Sequence, residues 1–326
     1  MADEFLKLSP DDQRDTILAG AEELKKSATL IEKDIWVCWT LGVLFSMSGR
    51  KQTAFKGGTS LSKVHDLIKR FSEDIDVSIY MLESYSQDIS RTQAQKAKEK
   101  IDADLHEYKN DFILPKLKSA ADDAGLTLGK GDTDWEVYIS YDTLLGSAGH
   151  YIKPRVKIEF GSRNEVEPST KHHIKPYLAS ATKDLVFPEA ADVDVLSASR
   201  TFWEKVTLIH GGLSSGELER DPNGRSRHWS DIAIIADAAM GDSIIADTAL
   251  CLRVVDHRDK WFRRSGENFD GCRNKLFKIV PAGSALKAIE DDYNAMVSEG
   301  MYDDDNPPTF KEIMGKIEKL QTRLNS

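Results

Sequence analysis

FKGGTSLSKVHDLIKRFSEDIDVSIY, residues 55–80, is the stretch whose reading decides the fold. It reads as strand, tight glycine turn, helix, turn and strand. Gly57 and Gly58 allow a sharp bend and the close approach of a bulky ligand. Thr59 or Ser60 can cap the following helix, whose first N–H groups then point into the turn, as a phosphate requires. Leu61, Val64, Leu67, Ile68 and Phe71 recur at helical spacing and predict one buried helix face. After Ser72-Glu73 the period becomes two. Ile75, Val77 and Ile79 share one strand face, and Asp74, Asp76 and Ser78 share the other. Carboxylates two residues apart on a strand lie roughly 6.5 Å apart at their Cα atoms and point the same way. Such oxygen ligands suit Mg2+, which takes one or two carboxylates and leaves its other positions to water and phosphate. A lone D-x-D is commonly a solvated strand face. Here a Gly-Gly-Thr-Ser helix start precedes it on the adjoining element, and the pairing favours a metal and phosphate site.

Working outward, the 326 residues are 40% hydrophobic and 30% charged, the balance of a globular protein with a sizeable core. No apolar run approaches the ~20 residues that cross a bilayer. The acidic N-terminus, MADEFLKLSPDDQRD, lacks a signal-peptide core. The three cysteines, Cys38, Cys251 and Cys272, are dispersed and lack metal-ligand spacing, which predicts reduced thiols in a cytoplasm. A net charge of −10 argues against indiscriminate nucleic-acid binding. Charge is uneven, however. Residues 251–280 hold eight Lys or Arg against four acids, and residues 288–306 hold seven acids and no Lys or Arg.

Before the central stretch, helices are expected over 10–26 and 29–48, the second buried through Trp36, Trp39, Leu41 and Leu44. Glu32-Lys33-Asp34 reads as a solvated first turn of that helix, or as a charged edge facing a substrate. After it, 84–123 is long, polar and helical, divided near Pro115 and ended by Gly125, Gly129 and Gly131. WEVYISY (135–141) and RVKIEF (155–160) alternate as strands, joined as a hairpin by a loop carrying Gly146 and Gly149. Glu159 shares a face with Arg155 and Lys157. It reads as an ion-paired surface residue. Beside the D-x-D strand it would instead be a third acid, able to take the proton of an attacking hydroxyl. Residues 165–196 contain one or two more strands.

From Thr201 a helix opens with a Thr-x-x-Glu capping pattern and a buried stripe of Phe202, Val206, Ile209 and Leu213. Lys205 lies off the stripe. It is a solvated lysine or, facing a cleft, a counter-charge for a triphosphate. A Ser-, Gly- and Arg-rich loop over 214–228 carries Arg225, Arg227 and His228 and precedes the helix WSDIAIIADAAM. Asp231 in its first turn reads as dipole compensation or as a site residue. Further helices are expected over 243–256, 272–279, 282–299 and 309–324.

The motif K-G-G-T-S-L…R-F-S-E-D-I-D-V resembles the signature of the nucleotidyltransferase AbiEii/AbiGii toxin family, within the DNA-polymerase-β-like nucleotidyltransferase superfamily. Glu32-Lys33-Asp34 with Trp36, Lys157–Phe160, Thr201–Lys205 and Arg227–Asp231 are similar to further family patterns in the same order. The resemblance implies that Gly58 and Ser60 hold nucleotide phosphates, that Asp74 and Asp76 hold Mg2+, and that Lys205 and Asp231 are a further essential pair. Many superfamily members have Gly-Ser directly. Here Thr59 stands between Gly58 and Ser60, so either hydroxyl is a candidate for the phosphate.

The expected fold is α+β: a nucleotidyltransferase-type mixed β-sheet core flanked by helices, over 1–198, with a mainly helical C-terminal domain over 199–326. The expected activity is Mg2+-dependent transfer of NMP from an NTP to an RNA acceptor, a tRNA 3′ end by resemblance. Its setting is a toxin–antitoxin or phage-defence system with a cognate antitoxin. Gly57, Gly58, Thr59, Ser60 and Arg227 would bind the nucleotide, and Asp74, Asp76, Glu159, Lys205 and Asp231 would serve the reaction. The basic segment at 251–280, with Trp261 and Phe262, would grip the RNA backbone and stack a base, or is a salt-bridged surface. Two alternatives remain: nucleotidylation of a protein or small molecule, and an inactive binding module of the same fold.

Overall fold

The computed structural model describes residues 3–70, 72, 74–83, 85, 89–146, 153–220, 224–298, 301, 302 and 306–326. Phe71, Glu73, Ser84 and Gly149, the loop residues Asp221–Asn223, and the acids Glu299 and Asp303–Asp305 lie outside them.

In chain order the elements are β1 (Asp3–Glu4), α1 (Pro10–Leu24), α2 (Ala28–Ser46), β2 (Thr53–Lys56), α3 (Gly57–Lys63), β3 (Asp74–Ile79), α4 (Arg91–Tyr108), α5 (Leu114–Asp123), β4 (Thr127–Lys130), β5 (Glu136–Ser140), β6 (Arg155–Gly161), β7 (Ser169–Ile174), α6 (Leu178–Ala181), β8 (Leu185–Val186) and β9 (Ala190–Leu196). Helices follow: α7 (Ala198–Ser215), α8 (Glu217–Arg220), α9 (Ser226–Asp237), α10 (Gly241–Ala246), α11 (Thr248–Trp261), α12 (Phe269–Arg273), α13 (Gly283–Ser298) and α14 (Phe310–Leu324). The expected α+β class with a mixed sheet is the observed one.

The chain divides into two compact units. The first is Met1–Val64, Ser72–Ser84 and Glu99–Leu196; the second is His65–Phe71, Tyr85–Lys98 and Ser197–Ser326.

The first unit is built on a seven-stranded sheet in the order β4-β5-β6-β3-β2-β9-β7. β3 runs antiparallel to β2 and parallel to β6, and β5 runs antiparallel to β6, the expected hairpin. The alternation of β3 and β6 sends Ile75, Val77, Ile158 and Phe160 into one apolar core with Leu41, Leu44, Leu117 and Val195 from α2, α5 and β9. A one-residue slip would carry the charged residues of both strands into that core, so the register is strongly fixed. Trp36 and Trp39 of α2 pack, half-buried, on the same cluster. The long polar segment is divided as expected, although the break is a single π-helical turn at Lys109–Ile113 with Pro115 opening α5 behind it. β4, where glycines alone were expected, pairs with β5.

The second unit packs helices around α7 and α9. Phe202, Val206 and Ile209 are fully buried, as the stripe predicts. The helix begins earlier than its Thr-x-x-Glu pattern indicates: Ser197 caps it, accepting from the Arg200 N–H at 3.1 Å, and Glu204 pairs instead with Arg200. α9 likewise begins at Ser226 and includes Arg227 and His228, so Asp231 is its sixth residue and not a first-turn acid. The expected helix over 272–279 is replaced by the short α12.

Candidate active site

β2 ends at Lys56 and the chain turns at Gly57, whose φ of +81° lies in the left-handed region that glycine enters without strain. Lys56 pairs with Asp76 across the antiparallel ladder. This places the Asp76 carboxylate against the turn: a Cβ built on Gly57 would fall 1.9 Å from Asp76 Oδ2. Only a glycine leaves room for that carboxylate. Asp74 and Asp76 stand half-buried on the face of β3 opposite the buried Ile75 and Val77, so both carboxylates project on one side.

β6 lies beside β3, as the reading of Glu159 required, with Asp74 opposite Lys157 and Asp76 opposite Glu159. The three acids therefore share a sheet face. Lys157 changes their arrangement: its Nζ lies 3.1 Å from Asp74 Oδ2 and donates a hydrogen bond to Glu159 Oε1. Burial alone would lower the Lys157 pKa, but the bond to Glu159 and the charge of Asp74 raise it well above the ordinary lysine value. Among the described residues no three His, Cys, Asp or Glu side chains gather as a metal cluster. The metal candidate is thus a carboxylate pair, with Glu159 engaged by a lysine. Two hard oxygen donors beside a glycine cradle fit a divalent cation that keeps water or phosphate on its remaining positions.

Both hydroxyls of the turn are directed into the chain. Thr59, 2% exposed, donates its one hydroxyl proton to the Asp74 carbonyl at 2.5 Å, and its oxygen lies 3.0 Å from Ser72 Oγ, whose hydroxyl can donate back. Ser60, fully buried, donates to the Gly57 carbonyl at 2.9 Å. These bonds shape the bend and tie α3 to β3. The helix is shorter than its apolar stripe predicts, ending at Lys63 rather than Phe71. Asp66 has a φ of +49°, which stops helical continuation.

The second unit holds the other charged candidates. Lys205 Nζ lies 3.0 Å from Asp231 Oδ2, and Arg70 grips the same carboxylate with two bonds of 2.7 Å. Asp231 is fully buried, and Arg70 and Lys205 nearly so, which overturns the solvated-lysine reading of Lys205. Burial alone would raise the Asp231 carboxyl, but Arg70 and Lys205 hold it well below the usual carboxylate range. Burial lowers Lys205 and holds His228, 3.3 Å away through Nδ1, well below an ordinary histidine, with the Lys205 and Arg227 charges adding to the effect. Arg227 itself is exposed. Arg70 has no site role in the sequence reading. Its place in the R-F-S-E-D motif was the available signal, but its partner lies 161 residues away.

Two stretches with alternative readings are decided by their partners, the first against the solvated turn and the second for the salt-bridged surface. Glu32, Lys33 and Asp34 are buried, not solvated. Glu32 accepts from Thr143 Oγ1 and the Leu144 N–H, both at 2.7 Å; Lys33 donates to the Lys153 carbonyl; Asp34 accepts from the Tyr177 N–H and pairs with the buried Lys63. Likewise, the basic segment is a salt-bridged surface. Arg273 contacts Asp256, Asp259 and Asp270, Arg263 pairs with Asp259, and Arg264 with Glu217. Trp261 is buried, edge-on to Tyr85, and offers no face to a base.

A mixed sheet presenting a D-x-D pair beside a glycine turn is the arrangement that the resemblance to nucleotidyltransferases implies. The family model for the nucleotidyl transferase AbiEii toxin of type IV toxin–antitoxin systems matches residues 43–316. The chain belongs to this AbiEii family of nucleotidyltransferase toxins. Among solved structures it is similar to MenT4, a nucleotidyltransferase toxin from Mycobacterium tuberculosis H37Rv, at 16% identity and a TM-score of 0.51. The match covers 95% of this chain and 89% of that one, a likeness of fold. No curated protein matches in sequence.

Proposed function

We propose that this nucleotidyltransferase transfers NMP from an NTP to the 3′-terminal hydroxyl of an RNA, with tRNA as the acceptor class, using Mg2+. The observation that carries the reading is the Asp74/Asp76 pair, one carboxylate of which lies directly on the Gly57 turn. Asp74 and Asp76 would hold the metal, which when bound neutralises the triphosphate and polarises the α-phosphorus. Gly57–Ser60 would receive the phosphates through backbone N–H groups, since the Thr59 hydroxyl is bonded to the Asp74 carbonyl and the Ser60 hydroxyl to the Gly57 carbonyl. The acceptor oxygen bonds to the α-phosphorus as the bond to the β-phosphate oxygen breaks. Glu159 takes the hydroxyl proton, and pyrophosphate leaves. Lys205 and Asp231 keep the essential roles implied by the resemblance, with Arg227 as an accessory cation for pyrophosphate.

The core domain over 1–198 would hold the metal and the nucleotide, and the mainly helical domain over 199–326 would add Lys205, Asp231 and Arg227 and select the acceptor. A cognate antitoxin would silence the activity, and phage defence is the proposed setting. Buried thiols at Cys38, Cys251 and Cys272 accord with a reducing cytoplasm, and among the described residues no helix is long and apolar enough to cross a membrane.

The test is incubation of the purified protein with Mg2+, each α-labelled NTP, and total RNA or total protein. Label entering RNA is expected, and Asp76→Asn should abolish it while the fold is kept. Label entering protein instead, or full activity in Asp76→Asn, would overturn the reading.

A further inference from the structure

We propose that Lys157 is a resident counter-ion of the acid pair, displaced from Asp74 when a divalent cation binds. The proposal rests on the reading of Asp74 and Asp76 as metal ligands.

The geometry is specific. Neighbouring strands lie about 5 Å apart, so Asp74, Asp76 and Glu159 on one face of the parallel β3–β6 pair repel one another. The fourth position of that two-by-two array is Lys157, opposite Asp74. Its ammonium joins Asp74 Oδ2 to Glu159 Oε1, the diagonal of the array. The Ile75–Ile158 pairing on the buried side fixes this register, so the lysine cannot be exchanged for a neighbour by sliding the strand. The contact is nonetheless open enough to change. The side chains of Lys157 and Asp74 are 25% and 22% exposed, and an ammonium on a four-carbon stem reorients easily.

A divalent ion drawing on both Asp74 and Asp76 finds one carboxylate against the glycine turn and the other holding the ammonium. The ammonium and the ion compete for Asp74 Oδ2. Displacement leaves Lys157 on Glu159 alone. The lysine thus holds the acids together before loading and sets a threshold for it.

The test is calorimetric titration of the nucleotide-free full-length protein with MnCl2 and MgCl2, in wild type, Lys157→Met, Lys157→Gln, Lys157→Arg and Asp76→Asn. Removing the competing cation should tighten metal binding roughly two- to fivefold in the Met and Gln variants, the range of a partly exposed ion pair. Lys157→Arg should stay near wild type, and Asp76→Asn should bind no metal. A merely structural lysine would give weaker binding in both neutral variants. Unchanged or weaker binding in both, with wild type binding and Asp76→Asn not, would overturn the counter-ion role and leave the metal pair standing. Equal titrations of wild type and Asp76→Asn would remove the metal pair, and the counter-ion role with it.

Discussion

Gly57 shows how narrowly one residue can set a site. Alanine there would face two problems at once: a φ of +81° and a Cβ 1.9 Å from an Asp76 oxygen. The backbone strain alone costs about 1–2 kcal/mol. The carboxylate must also move, and a shift of that order commonly costs roughly 100-fold in rate. Gly57→Ala should therefore lower labelled-NMP transfer by about that factor while reducing stability only modestly in urea unfolding. At His228 the expected effect is on pH dependence. Burial holds this histidine well below its ordinary pKa, and His210 is lowered for the same reason. The unfolded chain then binds the protons first. Stability is fully present above the ordinary histidine range, near pH 6.5, and is lost as pH falls below it, by about 1.4 kcal/mol per pH unit for each such group. Urea midpoints measured from pH 7.5 to 5.5 should fall accordingly, and His228→Asn should remove about half of the slope.

At the scale of elements, α3 is held to β3 through Thr59, whose buried hydroxyl donates to the Asp74 carbonyl and lies within hydrogen-bond reach of Ser72 Oγ. Thr59→Val leaves that carbonyl short of a donor, at a cost of about 1–3 kcal/mol. Thr59→Ser should retain stability and transfer. Unchanged unfolding of the valine variant would show that the tie is unimportant. The alternation of β3 and β6 could be read from the sequence because a half-buried strand writes its two faces into a period of two. The adjacency of the two strands could not, and it alone gives Glu159 its place beside Asp76. The acids of α2 were misread because charge near a helix start is ordinarily solvated; the partners that bury Glu32 and Asp34 lie 111 and 143 residues away. Asp231 was misplaced in its helix for a related reason. The start at Ser226 has no side-chain cap hydrogen bond to mark it.

At the scale of the whole molecule, each unit is discontinuous in sequence. The second unit takes His65–Phe71 and Tyr85–Lys98 from the first half of the chain, and Arg70 among them supplies the two-pronged grip on Asp231. A fragment of residues 197–326 would retain Asp231 and Lys205 without that guanidinium. Removing one partner of a buried ion pair costs about 3–5 kcal/mol. Such a fragment should show little cooperative thermal unfolding by circular dichroism, and a sharp native-like transition would contradict the role given to Arg70. The composition of the chain foretells none of this, because 65–98 reads locally as turn, strand and polar helix.

The three thiols provide a reporter for that division. Cys38 lies in the first unit and Cys251 and Cys272 in the second, all buried with their pKa values pushed up, Cys251 to about 12. Alkylating reagents attack the thiolate, so none of them should react until its surroundings open. Peptide mapping after timed iodoacetamide pulses would then clock the opening of each half of the molecule separately, with no label introduced.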